Sequence, residues 1–131
     1  MSAMNVILVM FGGFLGAISR FLLGNWSFLH STYGFPTGTL IINLVGSLLL
    51  GWLVANYRDQ YPRIFLFFGT GFIGSFTTFS TFSVETLNLL EKGKLGLALG
   101  YGFISLVAGI CFALIGYKLG LLALARKGRL A

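Results

Sequence analysis

Charge is what this sequence has least of. Only 9% of its 131 residues are Asp, Glu, Lys or Arg, three of them acids, while 56% are hydrophobic. A soluble domain carries about a quarter of its residues charged, and a small fold has too much surface to hide so much apolar area from water. An ordinary soluble domain is excluded, and the bilayer becomes the natural solvent. Cys111 is the only cysteine, so no intrachain disulfide is possible, and within an apolar run it reads as an inert packing thiol. The one histidine, His30, has no Cys or carboxylate pair near it. No P-loop, dinucleotide fingerprint or metal-ligand spacing occurs, and the chain carries no catalytic set. The net charge of +6 comes mostly from the ends of apolar runs, as membrane orientation requires, and does not mark a nucleic-acid binder. A basic start and a clear small-residue cleavage site are both missing at the N-terminus, which therefore does not read as a signal peptide.

The charge-free runs are residues 1–19, 21–57 (with His30 neutral), 64–84 and 95–117. One crossing takes roughly 20 apolar residues. The second run is too long for one helix and divides at the turn-rich patch "NWSFLHSTYGFPTGT", with Pro36 and Gly38. The expectation is an all-α membrane protein, a single domain over residues 1–131 with four spans at about 4–24, 39–57, 64–90 and 95–124. The connections at 58–62 and 91–94 are short, so neighbouring helices form antiparallel hairpins. Glycines four apart, at Gly12/Gly16, Gly96/Gly100 and Gly116/Gly120, are spaced for close helix packing. Four helices barely enclose an aqueous path, so transport by this chain requires a homo-oligomer. With the N-terminus inside, Arg58, Arg63, Arg126, Lys127 and Arg129 face the cytoplasm and Lys92 and Lys94 do not. Without the C-terminal tail that bias vanishes. The chain either inserts both ways or follows a conventional inside N-terminus with a short basic tail.

In the third span, "GSFTTFSTFS" (residues 74–83) places six hydroxyls and three phenyl rings where a lipid-facing helix carries Leu and Val. Gly69, Gly71 and Gly74 precede it, and a helix break is expected there, lining a cavity or buried in protein. On a continuous helix Phe72, Phe76, Phe79 and Phe82 form one stripe and Thr78, Thr81 and Glu85 another, with Ser80 and Ser83 alongside the rings. Ring edges are weakly positive and hydroxyls donate without carrying charge. Together they suit a small hydrated anion that must shed water and keep moving. The alternative is that the hydroxyls bond back to their own helix and the rings meet lipid. Asn43, a buried amide, needs partners, either across a helix interface or in a pore. Arg20 either snorkels or makes a vestibule attractive to anions. Glu85, the only acid well inside a span, is a proton-coupling group or a satisfied structural acid. Tyr101 and Ser105, one turn apart, extend a polar track or pack a core.

Four stretches, "GGFLGAISRFLLG", "PTGTLIINLVGSLLLG", "GFIGSFTTFSTFSVE" and "GYGFIS", occur in order over most of the membrane part. On them the chain resembles the Fluc/CrcB fluoride channels of bacteria. The resemblance implies an antiparallel, dual-topology homodimer in the lipid of the bacterial inner membrane, with two pores for fluoride ion and passive F⁻ efflux. It implies that Phe79 and Phe82 turn ring edges to fluoride and that Asn43 is the pore amide. It makes Ser80 and Thr81 a hydroxyl track continued by Tyr101 and Ser105, Arg20 the vestibule arginine, and Glu85 the acid beyond the phenylalanines. It also implies a central Na⁺ held by backbone carbonyls at Gly74 and Thr77. Gly109 stands where some relatives carry a hydroxyl. The competing reading is a small multidrug-type, proton-coupled transporter, which needs a carboxylate in the first span, where this chain has Arg20. A purely structural membrane subunit is the third.

Overall fold

The computed structural model describes residues 2–30 and 34–130, with the side chains of 26–30, 127, 129 and 130 outside the description, and with them those of His30, Lys127 and Arg129. Among the described residues the chain is entirely helical. The elements are α1 (Ala3–His30), α2 (Thr37–Tyr57), α3 (Pro62–Phe65), a π-helical segment (Leu66–Ile73), α4 (Gly74–Phe76), α5 (Phe79–Glu91) and α6 (Leu95–Leu130). Four stretches are long and apolar enough to cross a membrane: Ala3–Asn25, Thr37–Tyr57, Pro62–Glu91 and Leu95–Arg126. They agree with the expected spans to within a few residues, except where helix outlasts hydrophobicity. Residues 25–30, expected in the turn-rich patch, continue α1. No Pro or Gly interrupts them, and the turn waits for Gly34, in the left-handed region at φ +69°, and Pro36. α6, at 36 residues, is about 54 Å long, well beyond the roughly 30 Å of hydrocarbon.

The ends of the elements have local causes. Pro62 starts α3, where its missing N–H is no loss. α5 stops in a Schellman motif. Gly93 takes φ +70°, its N–H reaches the Leu90 carbonyl, and the Lys94 N–H reaches that of Leu89 at 2.9 Å each. The third span breaks at Thr77 and Thr78, both extended, with ψ of 156° and 125°. Of the residues expected at the break, Thr77 is there and the glycines are not. Gly69, Gly71 and Gly74 do not interrupt the helix. The first two lie in the π-helical turns and Gly74 is α-helical. The break also corrects the single phenylalanine stripe. Phe72 and Phe76 stack before it, and Phe79 and Phe82 form a separate tilted pair after it, with centroids 5.8 Å apart in each pair.

Packing runs through glycine. α2 lies most extensively against α6, and α1 against the π-helical segment. A Cβ at Gly12 or Gly16 would collide with the carbonyls of Phe67 and Phe72. One at Gly51 would collide with that of Ala113, and one at Gly116 with that of Leu48. Backbones therefore meet directly, as membrane helices do where lipid offers no hydrophobic drive for association. Gly96 and Gly100 behave otherwise: nothing lies within 4 Å of the Cβ either would carry. Their spacing matches the other pairs, but this face of α6 meets no element of its own chain there. Cys111 is exposed on α6 rather than packed.

Gly116→Val should push α6 off α2 at a cost of about 1–3 kcal/mol or more, whereas Gly96→Ala should leave the protomer fold intact. Thermal unfolding of the detergent-solubilised variants, followed by loss of the monodisperse species, checks the contrast.

Candidate functional site

The break is held from another helix. The Asn43 side chain on α2 accepts from the Thr78 N–H through Oδ1 at 2.8 Å and donates through Nδ2 to the Thr78 carbonyl at 3.0 Å. One amide thus satisfies both backbone groups of a residue that has left the helix. An unpaired buried backbone group would cost about 1–3 kcal/mol. Thr78 itself caps α5. It is buried, in the β region, and its Oγ1 accepts from the Thr81 N–H at 3.2 Å.

Around that cap the hydroxyls join one another. Thr78 Oγ1 donates to Thr81 Oγ1 at 3.0 Å and lies 3.2 Å from Ser80 Oγ. Elsewhere the bland expectation for membrane hydroxyls holds. Ser19, Ser47, Thr77, Ser83 and Thr86 each donate to the carbonyl four residues back. Within the motif Thr77 and Ser83 belong to the second population, and Thr78, Ser80 and Thr81 bond to one another instead.

One turn further along α5, Glu85 is gripped from two helices. Thr39 Oγ1 donates to Oε1 and the Tyr101 hydroxyl to Oε2, both at 2.8 Å. Tyr101 on α6 is fully buried, with Phe82 at 4.9 Å and Phe35 edge-on at 5.4 Å between centroids. Phe82 is half-buried against this cluster, but Phe79 is 80% exposed, so its own chain leaves the ring uncovered. Ser105 Oγ is buried and has no hydrogen-bond partner among the described residues. The atom nearest to the Cβ that Gly109 lacks is Ser47 Oγ, at 3.9 Å, so a hydroxyl from α2 stands near that position.

Two open cavities flank these groups. One of about 270 Å³ is lined by Asn43, Ser47, Thr77, Thr78 and Phe79 among others. The larger, about 540 Å³, lies at the end of the bundle where α2 begins and α5 ends, and Thr39, Thr81, Glu85, Asn88 and Lys92 are in its wall. The Thr78–Thr81 bond joins the two linings. Asn43, Thr78, Ser80 and Thr81 form one hydrogen-bonded set and Thr39, Glu85 and Tyr101 a second, with Thr81 and Glu85 in the same cavity wall and Phe79 and Phe82 beside them. Arg20 is half-buried on α1 and is not part of that wall, where α1 contributes Gly24 and Asn25. Thr39 and Ser47 were missed by sequence reasoning. Their signal was present, because Thr39, Asn43 and Ser47 recur every four residues and share a face of α2.

Fold and site define a small multi-pass membrane protein whose interior polar groups are nearly all uncharged donors on either side of a helix break. The family model for CrcB-like protein, Camphor Resistance (CrcB), matches residues 7–117, and the chain belongs to that family. It is 51% identical over 121 residues to the fluoride-specific ion channel FluC of Oceanobacillus iheyensis, covering 89% of this chain and 92% of that protein. The FluC of Agrobacterium fabrum is 43% identical over 119 residues, 88% of this chain and 95% of its own. FluC 2 of a Bacillus cereus strain is 40% identical over 117 residues, covering 89% and 98%.

Asn43→Ala should leave the N–H and carbonyl of Thr78 without their partner and lower stability by about 2–6 kcal/mol, from roughly 1–3 for each group. Denaturant or thermal unfolding in detergent measures the loss, and amide exchange at Thr78 should rise with it.

Proposed function

We propose that this chain is a fluoride-selective channel through which F⁻ passively leaves the bacterial cytoplasm across the inner membrane, lowering intracellular fluoride. The observation that carries the reading is the run of uncharged donors along the break, with Asn43, Thr78, Ser80 and Thr81 joined by hydrogen bonds and Thr39 and Tyr101 gathered on Glu85 one turn further on, two phenyl rings beside them and an open cavity along each part. Such a run offers a small anion replacements for its water one at a time. None of these donors carries a charge that would hold the ion too firmly to release it. The relatives named as fluoride-specific ion channels support the choice of ion.

The lining we assign is Asn43, Phe79, Ser80, Thr81, Phe82, Tyr101 and Ser105, with Glu85 and Arg20 on the approaches. Three features of the single chain support assembly as an antiparallel homodimer with two pores. The Phe79 ring is bare, the Ser105 hydroxyl has no mate among the described residues, and the cavities along the donor run are open rather than enclosed. A nearly balanced charge distribution outside the C-terminal tail allows either insertion.

The break also fits an oxygen-seeking cation. In an unbroken helix the Gly74 carbonyl would accept from the Thr78 N–H, and that of Thr77 from the Thr81 N–H. Here those donors go to Asn43 Oδ1 and Thr78 Oγ1. Carbonyls relieved of their helical donors are hard ligands suited to Na⁺, which would supply positive charge where two broken helices cross and so hold the copies together. Asn43 is the residue that frees the Gly74 carbonyl, and the Thr78 cap is what frees that of Thr77.

Liposomes containing the purified protein should release F⁻ and retain Cl⁻. Phe79→Ile or Phe82→Ile should reduce F⁻ flux about twofold to tenfold, because a ring interaction of about 0.5–1.5 kcal/mol converts to that range in rate, while the dimer persists on size exclusion. Normal flux in both variants would defeat the reading. Exchanging Na⁺ for a bulky organic cation during purification should lower the melting temperature of the dimer more than that of a dissociated protomer.

A further inference from the structure

Thr81, Glu85, Asn88 and Lys92 stand at positions i, i+4, i+7 and i+11 of α5 and its C-cap, which is one face of a helix. All four line the cavity of about 540 Å³. The row runs from the hydroxyl cluster around the buried Thr78 at one end to an exposed ammonium at the other, where Gly93 ends the helix. Lys92 is the cation in the wall itself, Arg20 is not in it, and the Lys94 ammonium stands beside it, 3.7 Å from the Cβ position of Gly34 in the lining.

Glu85 is what makes a cation necessary there. A carboxylate set in the wall repels any anion that enters, and its two hydrogen bonds from Thr39 and Tyr101 orient it without cancelling its field. Lys92 lies seven residues along the axis from Glu85, roughly 10 Å. That is about one Debye length in 0.1 M salt, so an anion between the two groups lies within reach of both and the ammonium draws it where the acid repels it. Asn88 lies between them and offers an amide donor to an ion passing from one to the other.

We propose that Lys92 is the anion-capture residue of this mouth, drawing a small hydrated halide into the cavity against the field of Glu85 and handing it past Asn88 to Thr81. The proposal rests on the fluoride-channel reading and assigns to Lys92 the vestibule role that family resemblance gives to Arg20. Lys92 takes part in no ion pair among the described residues. Its place in the helix cap is held by its backbone N–H, which reaches the Asn88 carbonyl, so its side chain can be changed without touching the fold.

The experiment measures F⁻ flux from proteoliposomes against F⁻ concentration for the wild type, Lys92→Gln, Lys92→Arg and Arg20→Gln, at low ionic strength and again with about 1 M of an inert salt of an impermeant anion, where the Debye length falls to about 3 Å. Electrostatic capture raises entry rates by about 10-fold or more in focused clefts. Lys92→Gln is therefore expected to raise the half-saturating F⁻ concentration about threefold to tenfold at low ionic strength, with limiting flux unchanged. The difference should vanish in high salt, and Lys92→Arg should behave as wild type. Curves for Lys92→Gln that superimpose on wild type at both ionic strengths overturn the proposal. So does a fall in limiting flux alone, or a salt-dependent effect confined to Arg20→Gln. A wild-type protein that carries no F⁻ at all defeats the channel reading and this proposal together, whereas wild-type flux with an indifferent Lys92→Gln defeats the proposal alone.

Discussion

The two-point bond between the Asn43 amide and the backbone of Thr78 is the constraint on which the rest of this structure depends. In a membrane a residue that leaves the helix needs partners for its N–H and carbonyl, because no water is available to take them. Asn43 provides both from a neighbouring helix. With that demand met, Thr78 adopts the extended conformation and its hydroxyl turns to cap α5. Capping in turn gathers Ser80 and Thr81 around it rather than letting them bond to their own carbonyls. Removing the amide would undo the sequence of dependencies at its first step.

The hydroxyls show how alike residues acquire different fates. Ser83 and Thr86 lie in the same helix as Thr81 and have the same chemistry, yet both donate to the carbonyl one turn back. Ser80 and Thr81 sit in the first turn of α5, just after the break, with the cap to bond to instead. A break therefore changes the side chains around it as well as the backbone, and it does so only over about one turn. Glu85, beyond that turn, is reached from α2 and α6 rather than from within α5.

Much of this was legible in the residues, in a graded way. The four spans follow from charge-free runs, and their helical ends lie close to where charge, Pro and Gly put them. The third span was rightly expected to break, but the glycines named the wrong place. Gly69 and Gly71 allow π-helical turns, while the break falls at Thr78 because its partner is 35 residues away on α2, and local pattern carries no record of a distant amide. Glycine pairs were equally ambiguous. Gly12/Gly16 and Gly116/Gly120 are pressed against carbonyls or side chains of other helices, whereas a Cβ at Gly96 or Gly100 would meet nothing within 4 Å among the described residues, though the spacing is identical. The grip on Glu85 was half legible. Glu85 and Tyr101 were singled out separately, and the bond between them needed the antiparallel approach of α5 and α6. Thr39 was overlooked because a threonine at the start of a helix reads as an end signal rather than as a donor to an acid.

The π-helical stretch from Leu66 to Ile73 has an effect of its own. Each widened turn takes up more residues than an α-turn does, so the α-helical turn directly after it, Gly74–Phe76, is dialled around the axis by up to about 100° for each extra residue, against the 3.6-residue repeat. Beyond it the extended Thr77 and Thr78 start α5 on a phase of its own. The azimuth of Ser75 and Phe76 is thus set upstream, by a bulge in the winding of the chain that contains neither.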